Sequence, residues 1–328
     1  MARLSGSAAA GAAVKANGYG LGARDVVARL SGAGCKNFFV AHLAEAAEIA
    51  DLVPPDQIAV LNGISEGDVV LARAIGVIPV LNSPAQIAMW KASGGGRCHV
   101  MLDTGINRLG VGPDQIDAAL FDGLEIGILM SHLAFSDEDH PENAAQLCLF
   151  ENMSRGISAS VSVQRRSLAN SAGIMLGSGY HFDVTRPGIS LYGGASRPEL
   201  QQHIKTVVRM QSQILQIRYH KAGSMIGYNG TYICTNDSRV ATCAIGYADG
   251  YRRAFSNAGS ATFENVSLPV IGRVSMDLVT LDVTASANLQ EGDWVDIDYS
   301  LIAASAQSGI PQYELLTGLG SRFDRSWQ

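Results

Sequence analysis

Long apolar runs are missing from this 328-residue chain. Its most apolar stretches, such as LEIGILM at 124–130, fall well short of the ~20 residues a membrane-spanning helix needs. Basic charge is scarce as well, with 24 Lys and Arg against 30 Asp and Glu and a formal net charge of -6. No basic stripe offers itself to phosphate backbones or anionic lipid, so neither nucleic acid nor a membrane is an expected partner. Cysteine is sparse, odd in number and scattered (Cys35, Cys98, Cys148, Cys234, Cys243), without Cys-x-x-Cys spacing. That argues against a zinc knuckle or a disulfide frame and for reduced thiols in a cytoplasmic setting. The opening MARLSGSAAAGAAV is mostly alanine and glycine around one arginine, and reads as mature sequence rather than a cleaved leader.

What is present is ample apolar content, 47% of residues, enough for a large core divided over two domains. From residue 11 to about 193, short branched and aromatic runs alternate with helical patterns. The strand candidates are GAAVK, NFFVAHL, QIAVLNG, GVIPVLN, CHVMLD, LEIGILMSHL, QRRSLANS and FDVTRP. Several are nearly continuous apolar runs, as in parallel strands buried on both faces. Eight repeats of strand then helix predict a (β/α)8 TIM-like barrel, spanning 1–204. After about residue 200 the pattern alternates with period two and the helical patterns vanish, which predicts a mainly β C-terminal domain over 205–328.

In a parallel barrel, reactive side chains sit where strands end and loops begin. The strand ends here carry Lys15, His42, Asp103, His132, Asn170 with Ser171, and Arg186. Taken singly, each is read as a loop residue. Lys15 closes an apolar strand and is followed by the glycine-rich turn ANGYGLG. Burial disfavours a lysine ammonium and frees the amine as a nucleophile, which suits Schiff-base chemistry with pyridoxal phosphate. A lone lysine at a strand end is, however, more often a snorkelling surface residue.

The surrounding text changes that weighing. AVKANGYGLGA (13–23) closely resembles the cofactor-lysine motif of alanine racemases, pyridoxal-phosphate enzymes built from a barrel and a β-domain. DTGINRLG (103–110), SHLAFSDEDHP (131–141), LANSAGI (168–174), RPGISLYGG (186–194), IGYNGTY (226–232), AIGYADGYRR (244–253), IGRVSMD (271–277) and YELLTGLGSR (313–322) resemble further blocks of that family, in its order. The resemblance spans nearly the whole chain.

It implies racemisation of alanine by two bases, Lys15 and Tyr228, acting on opposite faces of the substrate Cα. His132 would partner Tyr228 and bond to Arg186. Arg186 would face the ring nitrogen of the cofactor, to which a guanidinium cannot easily give up a proton. Tyr19, Ser171 and the backbone of Gly188 and Ile189 would cradle the phosphate, with Asn170 beside them among the cofactor-binding residues. Arg108 would bond the cofactor's phenolic oxygen and the substrate carboxylate, the latter also met by the backbone of Met276; among the substrate-binding residues Asp277 would help order the site and Tyr247 would narrow the entrance. In the family the β-domain residues serve the opposite subunit's site, so a homodimer with shared active sites is implied, as is D-alanine supply for peptidoglycan. No metal is expected.

The chain departs from the family at three points. Met101 stands where many relatives carry a carbamylated lysine that steers the arginine here numbered 108. Ser321 stands where some relatives have a phosphate-touching tyrosine. Only 14 residues precede Lys15, where relatives usually have a further strand and helix, so a truncated start is one expectation. The rival readings are a racemase that also takes serine, a decarboxylase of the same fold, a barrel-only cofactor carrier, and a metal site at His132, Asp137, Asp139 and His140.

Overall fold

The computed structural model describes residues 1–327; Gln328, the last residue of the predicted second domain, lies outside the described residues. The chain divides into two compact units, Met1–Ile204 and a second from Lys205 onwards.

The first unit is a curled parallel sheet. Its strands are β1 (Ala9–Ala10), β2 (Ala12–Ala13), β3 (Phe38–Val40), β4 (Ile58–Val60), β5 (Ile78–Leu81), β6 (Gly96–Met101), β7 (Leu124–Met130), β8 (Val163–Ser167) and β9 (Val184–Thr185). β2 to β8 lie side by side in sequence order, and β1 pairs with β9. Main-chain bonds carry the pairing onward: Asp183 N to Arg166 O and Arg186 N to Ala169 O link the eighth strand to the ninth, and Gly11 N to Thr185 O and Ala13 N to Pro187 O link the ninth to the first two. The sheet holds together because its strands are apolar on both faces. Phe39, Ala59, Val80, Met101, Ile128, Met130 and Val184 form one buried cluster, while Phe38, Val40, Ile58, Val60 and Leu81 are equally buried.

The connections differ from the predicted strict repeat of strand and helix. Among the described residues, α-helices Ala23–Gly32, Leu43–Ile49, Val69–Ile75, Pro84–Ala92 and Glu142–Ser158 join strands, but β6–β7 and β8–β9 are joined by short 3-10 turns. The segment after β6 is rich in Gly, Asp and Pro, which favour turns over helix. Where helices form, local chemistry is consistent: Ser83 Oγ caps Gln86 N at 3.2 Å ahead of Pro84, and the long helix buries Phe150, Met153 and Ile157 on one side.

The second unit contains a closed antiparallel barrel, ordered β10 (Met210–His220), β13 (Ser238–Cys243), β16 (Val279–Asp282), β15 (Val266–Ile271), β14 (Ser260–Phe263), β17 (Trp294–Ile297), and a small pair, β11 (Met225–Ile226) with β12 (Tyr232–Ile233). Helical structure does not vanish as expected: Leu301–Ser308 and Gln312–Thr317 are α-helices. The first is alanine-rich and stops at Gly309, whose φ of 70° ends it in the left-handed region. All five cysteines are free thiols. Among the described residues no helix is long and apolar enough to cross a membrane.

Candidate active site

Lys15 follows β2 directly, and the backbone after it is unusual. Ala16, Asn17, Gly18, Tyr19 and Gly20 all have φ between 52° and 86°, a left-handed turn that costs roughly 1–2 kcal/mol for each residue bearing a Cβ. Two side-chain bonds hold it, one of them long-range. Glu45 accepts Ala16 N at 2.7 Å through one carboxylate oxygen and Ala41 N at 2.7 Å through the other, and Asn17 Oδ1 accepts Ala23 N at 2.8 Å. Strain held in this way marks a site where geometry is imposed for a purpose. Glu45 was missed by sequence reasoning, although its place three residues after His42 is the capping-box spacing.

The turn buries Tyr19 against Tyr192, ring centroids 4.5 Å apart. Tyr192 in turn donates to Ala13 O at 2.8 Å. A Cβ on Gly188 would lie 2.2 Å from the Tyr19 hydroxyl, so only glycine permits this approach. Ser171 Oγ accepts Gly188 N at 2.9 Å and Ser190 N at 3.4 Å. Ile189 is buried in the same turn, and Ser190 Oγ is buried without a partner among the described residues. The hydroxyls of Tyr19, Ser171 and Ser190 thus gather at one glycine-bearing turn, polar groups of a kind that suits a phosphate. Asn170 is spent otherwise: its Nδ2 donates to Ser136 Oγ at 2.9 Å and its Oδ1 accepts Gly173 N at 2.8 Å, so it shapes the turn.

Arg186 is buried. Its guanidinium donates to Ser167 Oγ at 2.5 Å and to the carbonyls of Ser131 at 2.5 Å and Leu168 at 3.5 Å. The bond foreseen to His132 is not formed among the described residues, and neither is a pairing with Asp183, whose carboxylate accepts Arg166 N. Carbonyls capture the fork because each lone pair on a strand end lies within its fixed reach. Burial brings the Arg186 pKa down to about 10, so the group stays charged at neutrality.

His132 is half-buried at the end of β7. Burial, then the charges of Arg186, Arg108 and Lys15, push it down to about 3, leaving a neutral imidazole. Its loop is braced by the buried Gln146, which donates to His132 O at 3.2 Å and accepts Ala134 N at 2.8 Å. Lys15 reaches solvent yet is walled closely enough that burial, then Arg108, lower its pKa, against an opposing pull from Glu45. Arg186, Arg108 and Lys15 thus all act against a proton on this imidazole.

Arg108 is exposed on a loop shaped by Asp103, whose Oδ1 accepts Gly105 N at 3.0 Å and Asn107 N at 3.1 Å. Met101 is buried in the sheet core and offers Arg108 no polar contact. Within the second unit, Tyr228 lies 66% exposed on a turn where Gly227 and Asn229 take positive φ. Gly227 abuts Arg273, three residues before the exposed Met276, and Met276 O accepts Ala248 N at 3.0 Å beside Tyr247. Arg322, also missed from sequence, bonds Asp277 at 2.7 Å and Asp249 at 2.8 Å.

The metal reading of the 131–141 loop finds other uses for its residues. Asp139 pairs with Arg197, and the His140 ring stacks on Phe135 at 4.1 Å. Among the described residues no group of three or more His, Cys, Asp or Glu could hold a metal ion.

Comparison with known proteins bears on the whole chain. Residues 1–196 match the model of the alanine racemase N-terminal domain, and 207–327 that of the C-terminal domain. The catabolic alanine racemase of Agrobacterium fabrum is 42% identical over 96% of this chain and 85% of its own length. An alanine racemase of Rhodospirillum rubrum is 42% identical over 99% and 90%. The crystal structure of the Bartonella henselae alanine racemase with covalently bound pyridoxal phosphate superposes with a TM-score of 0.90 at 35% identity, covering 99% of this chain and 94% of that one. The biosynthetic alanine racemase of Pseudomonas aeruginosa gives 0.87 at 30% identity, covering 100% and 94%.

Proposed function

The chain belongs to the alanine racemase family and its activity is the interconversion of L- and D-alanine; from that premise we propose that it works through pyridoxal phosphate with Lys15 and the partner subunit's Tyr228 as opposed bases. The decarboxylase and carrier alternatives are not favoured by these relatives. We read the curled sheet as the (β/α)8 barrel of the family, supported by the main-chain bonds through Gly11, Ala13 and Arg186.

The observation that carries the reading is the left-handed turn after Lys15 that stacks Tyr19 on Tyr192 and brings its hydroxyl against Gly188, itself bonded to Ser171. When bound, pyridoxal phosphate supplies an aldehyde for amines and a ring that stabilises negative charge at the substrate Cα. Tyr19, Ser171, Gly188 and Ile189 would hold its phosphate, and Arg186 would serve the ring nitrogen. Because Arg186 keeps its proton, it would give none to that nitrogen, which would favour simple proton exchange at Cα. Lys15, its ammonium disfavoured by burial and by Arg108, moves a proton on one face of Cα. The partner subunit's Tyr228 gives or takes a different proton on the other, its phenol O–H donating to the neutral His132. Racemisation needs a base on each face, since one base tends to restore the original hand. Arg108 pairs the substrate carboxylate through its fork. Met276 and Asp277 border the same carboxylate, with Arg322 bracing Asp277, and Tyr247 lines the entrance. Asn170 supports the cradle by ordering its turn.

This reading requires a homodimer with shared sites in the cytoplasm. The exposed apolar surface around Tyr228, including Met225, Ile233, Met276 and Leu278, supports it, because such patches are commonly covered by a partner. The test is borohydride reduction of the yellow protein followed by peptide mapping, with solvent deuterium supplied during turnover. The label is expected on Lys15 and deuterium at Cα of both alanine enantiomers; a reduced cofactor on another lysine ends the proposal.

A further inference from the structure

The strand ends holding Lys15, His132 and Arg186 form one edge of the parallel sheet. Toward the opposite edge lies a second basic group of residues. Arg97 and His99 precede Met101 by four and two positions on β6, so their side chains share its face of the sheet, the face that carries the core cluster. Registers place His99 beside Ile128 and Ile128 beside Arg165, so three adjacent strands bring His99 and Arg165 to one level.

Their packing is specific. A Cβ on Gly127 would lie 2.9 Å from His99 Cε1 and 3.4 Å from Arg97 Nε, so a glycine makes room for both groups at once. His99 is buried, and its Nδ1 lies 3.1 Å from Ile128 N. The same nitrogen lies 3.1 Å from Cys98 O, so the main chain engages Nδ1 from both sides. Among the described residues Arg97 Nε is buried and has no partner, while its Nη1 pairs with the exposed Asp56 at 3.2 Å. Arg165 makes no hydrogen bond or ion pair among the described residues. Asp183 is near enough to favour its charge, but that carboxylate is taken by Arg166 N at 2.7 Å. Glu125, in register with Arg97, is exposed. Arg97 and Arg165 each disfavour a proton on His99, and Arg97 disfavours the charge of Arg165. Repulsion among partly desolvated cations is a cost that a bound anion removes.

We propose that Arg97, His99 and Arg165 form a binding site for a small oxyanion, a phosphate or a carboxylate, separate from the cofactor phosphate cradle. Two guanidinium forks suit paired acceptor oxygens, and the half-exposed Arg97 leaves a route from solvent.

The test is thermal unfolding of the purified full chain in a phosphate-free buffer, titrated with inorganic phosphate or with acetate against sodium chloride of equal ionic strength. Phosphate is expected to raise the midpoint beyond the chloride control by mass action. Arg165→Gln, and separately Arg97→Gln, should each weaken the fitted phosphate affinity about 10- to 100-fold, the usual range for one charged hydrogen bond. Ser171→Ala should leave this response intact. A stronger response to acetate than to phosphate assigns the site to carboxylates. No response to either anion beyond chloride overturns the proposal, as does a response unchanged in both arginine variants. A response lost in Ser171→Ala assigns the anion to the cradle and overturns it equally.

Discussion

The two units present their functional groups in opposite ways. In the first, Arg186 is held by three acceptors, Tyr19 is stacked on Tyr192, and Ser171 is bonded to the main chain of the turn it faces. In the second, Tyr228 and Met276 stand more than half exposed. Groups that hold a cofactor permanently benefit from being fixed beforehand, because the entropy of ordering them is then spent during folding rather than at binding. On the proposed shared-site reading, groups completed by another subunit remain open until that subunit arrives. The contrast predicts that damage to the first unit loses cofactor, whereas damage to the second loses turnover alone.

The hardest test of that contrast is Lys15→Ala. It should abolish alanine racemisation, by at least about 10³-fold since it removes both a nucleophile and a base, and should also abolish the visible colour. A variant that racemises near the wild-type rate would break the comparison at its root. Tyr228→Phe should lower turnover about 10²- to 10⁴-fold while the protein stays yellow. If sites are shared, refolding an equal mixture of the two inactive variants should restore about a quarter of wild-type activity, because half of the dimers then carry one intact site.

Gly188→Ala probes the prearranged cradle. The added Cβ meets the Tyr19 hydroxyl at 2.2 Å, and overpacking of about 1–3 kcal/mol should weaken cofactor retention about 10- to 100-fold by fluorescence titration, with little change in secondary structure. The smallest effect concerns acid stability. Burial pushes His99 from an ordinary value of 6.5 to about 3, so between these values the unfolded chain binds a proton that the native one does not. The contribution of the neutral ring is full above pH 6.5 and is lost as pH falls below it, by at most about 1.4 kcal/mol per unit. Urea unfolding at pH 7 and pH 5 should therefore show wild type losing ground to His99→Gln on acidification.

Much of this arrangement was legible in the primary structure, for a local reason. Parallel strands buried on two faces leave continuous apolar runs, and the polar residues ending those runs, Lys15, His132 and Arg186, stand out against them. Glu45, Tyr192, Gln146 and Arg322 were not legible as parts of the site. Each acts across a distance in sequence that no periodic pattern records: Tyr192 meets the main chain of Ala13, and Arg322 meets Asp249 and Asp277. The helices at Leu301–Ser308 and Gln312–Thr317 were hidden by their shortness, since a two-turn segment carries too few apolar positions to display a period.

The amino-acid order by itself determined which residues stand at strand ends, where the rhythm changes from mixed to mainly β, and which motifs align with the family. Those features are written in spacing and composition, which folding leaves intact. Only the tertiary structure decided that His132 is neutral, that Arg186 bonds carbonyls and a serine rather than His132, and that a left-handed turn aims Tyr19 at Gly188. Desolvation, charge convergence and backbone strain depend on what the rest of the chain packs around a residue, and these come into being only when distant segments meet.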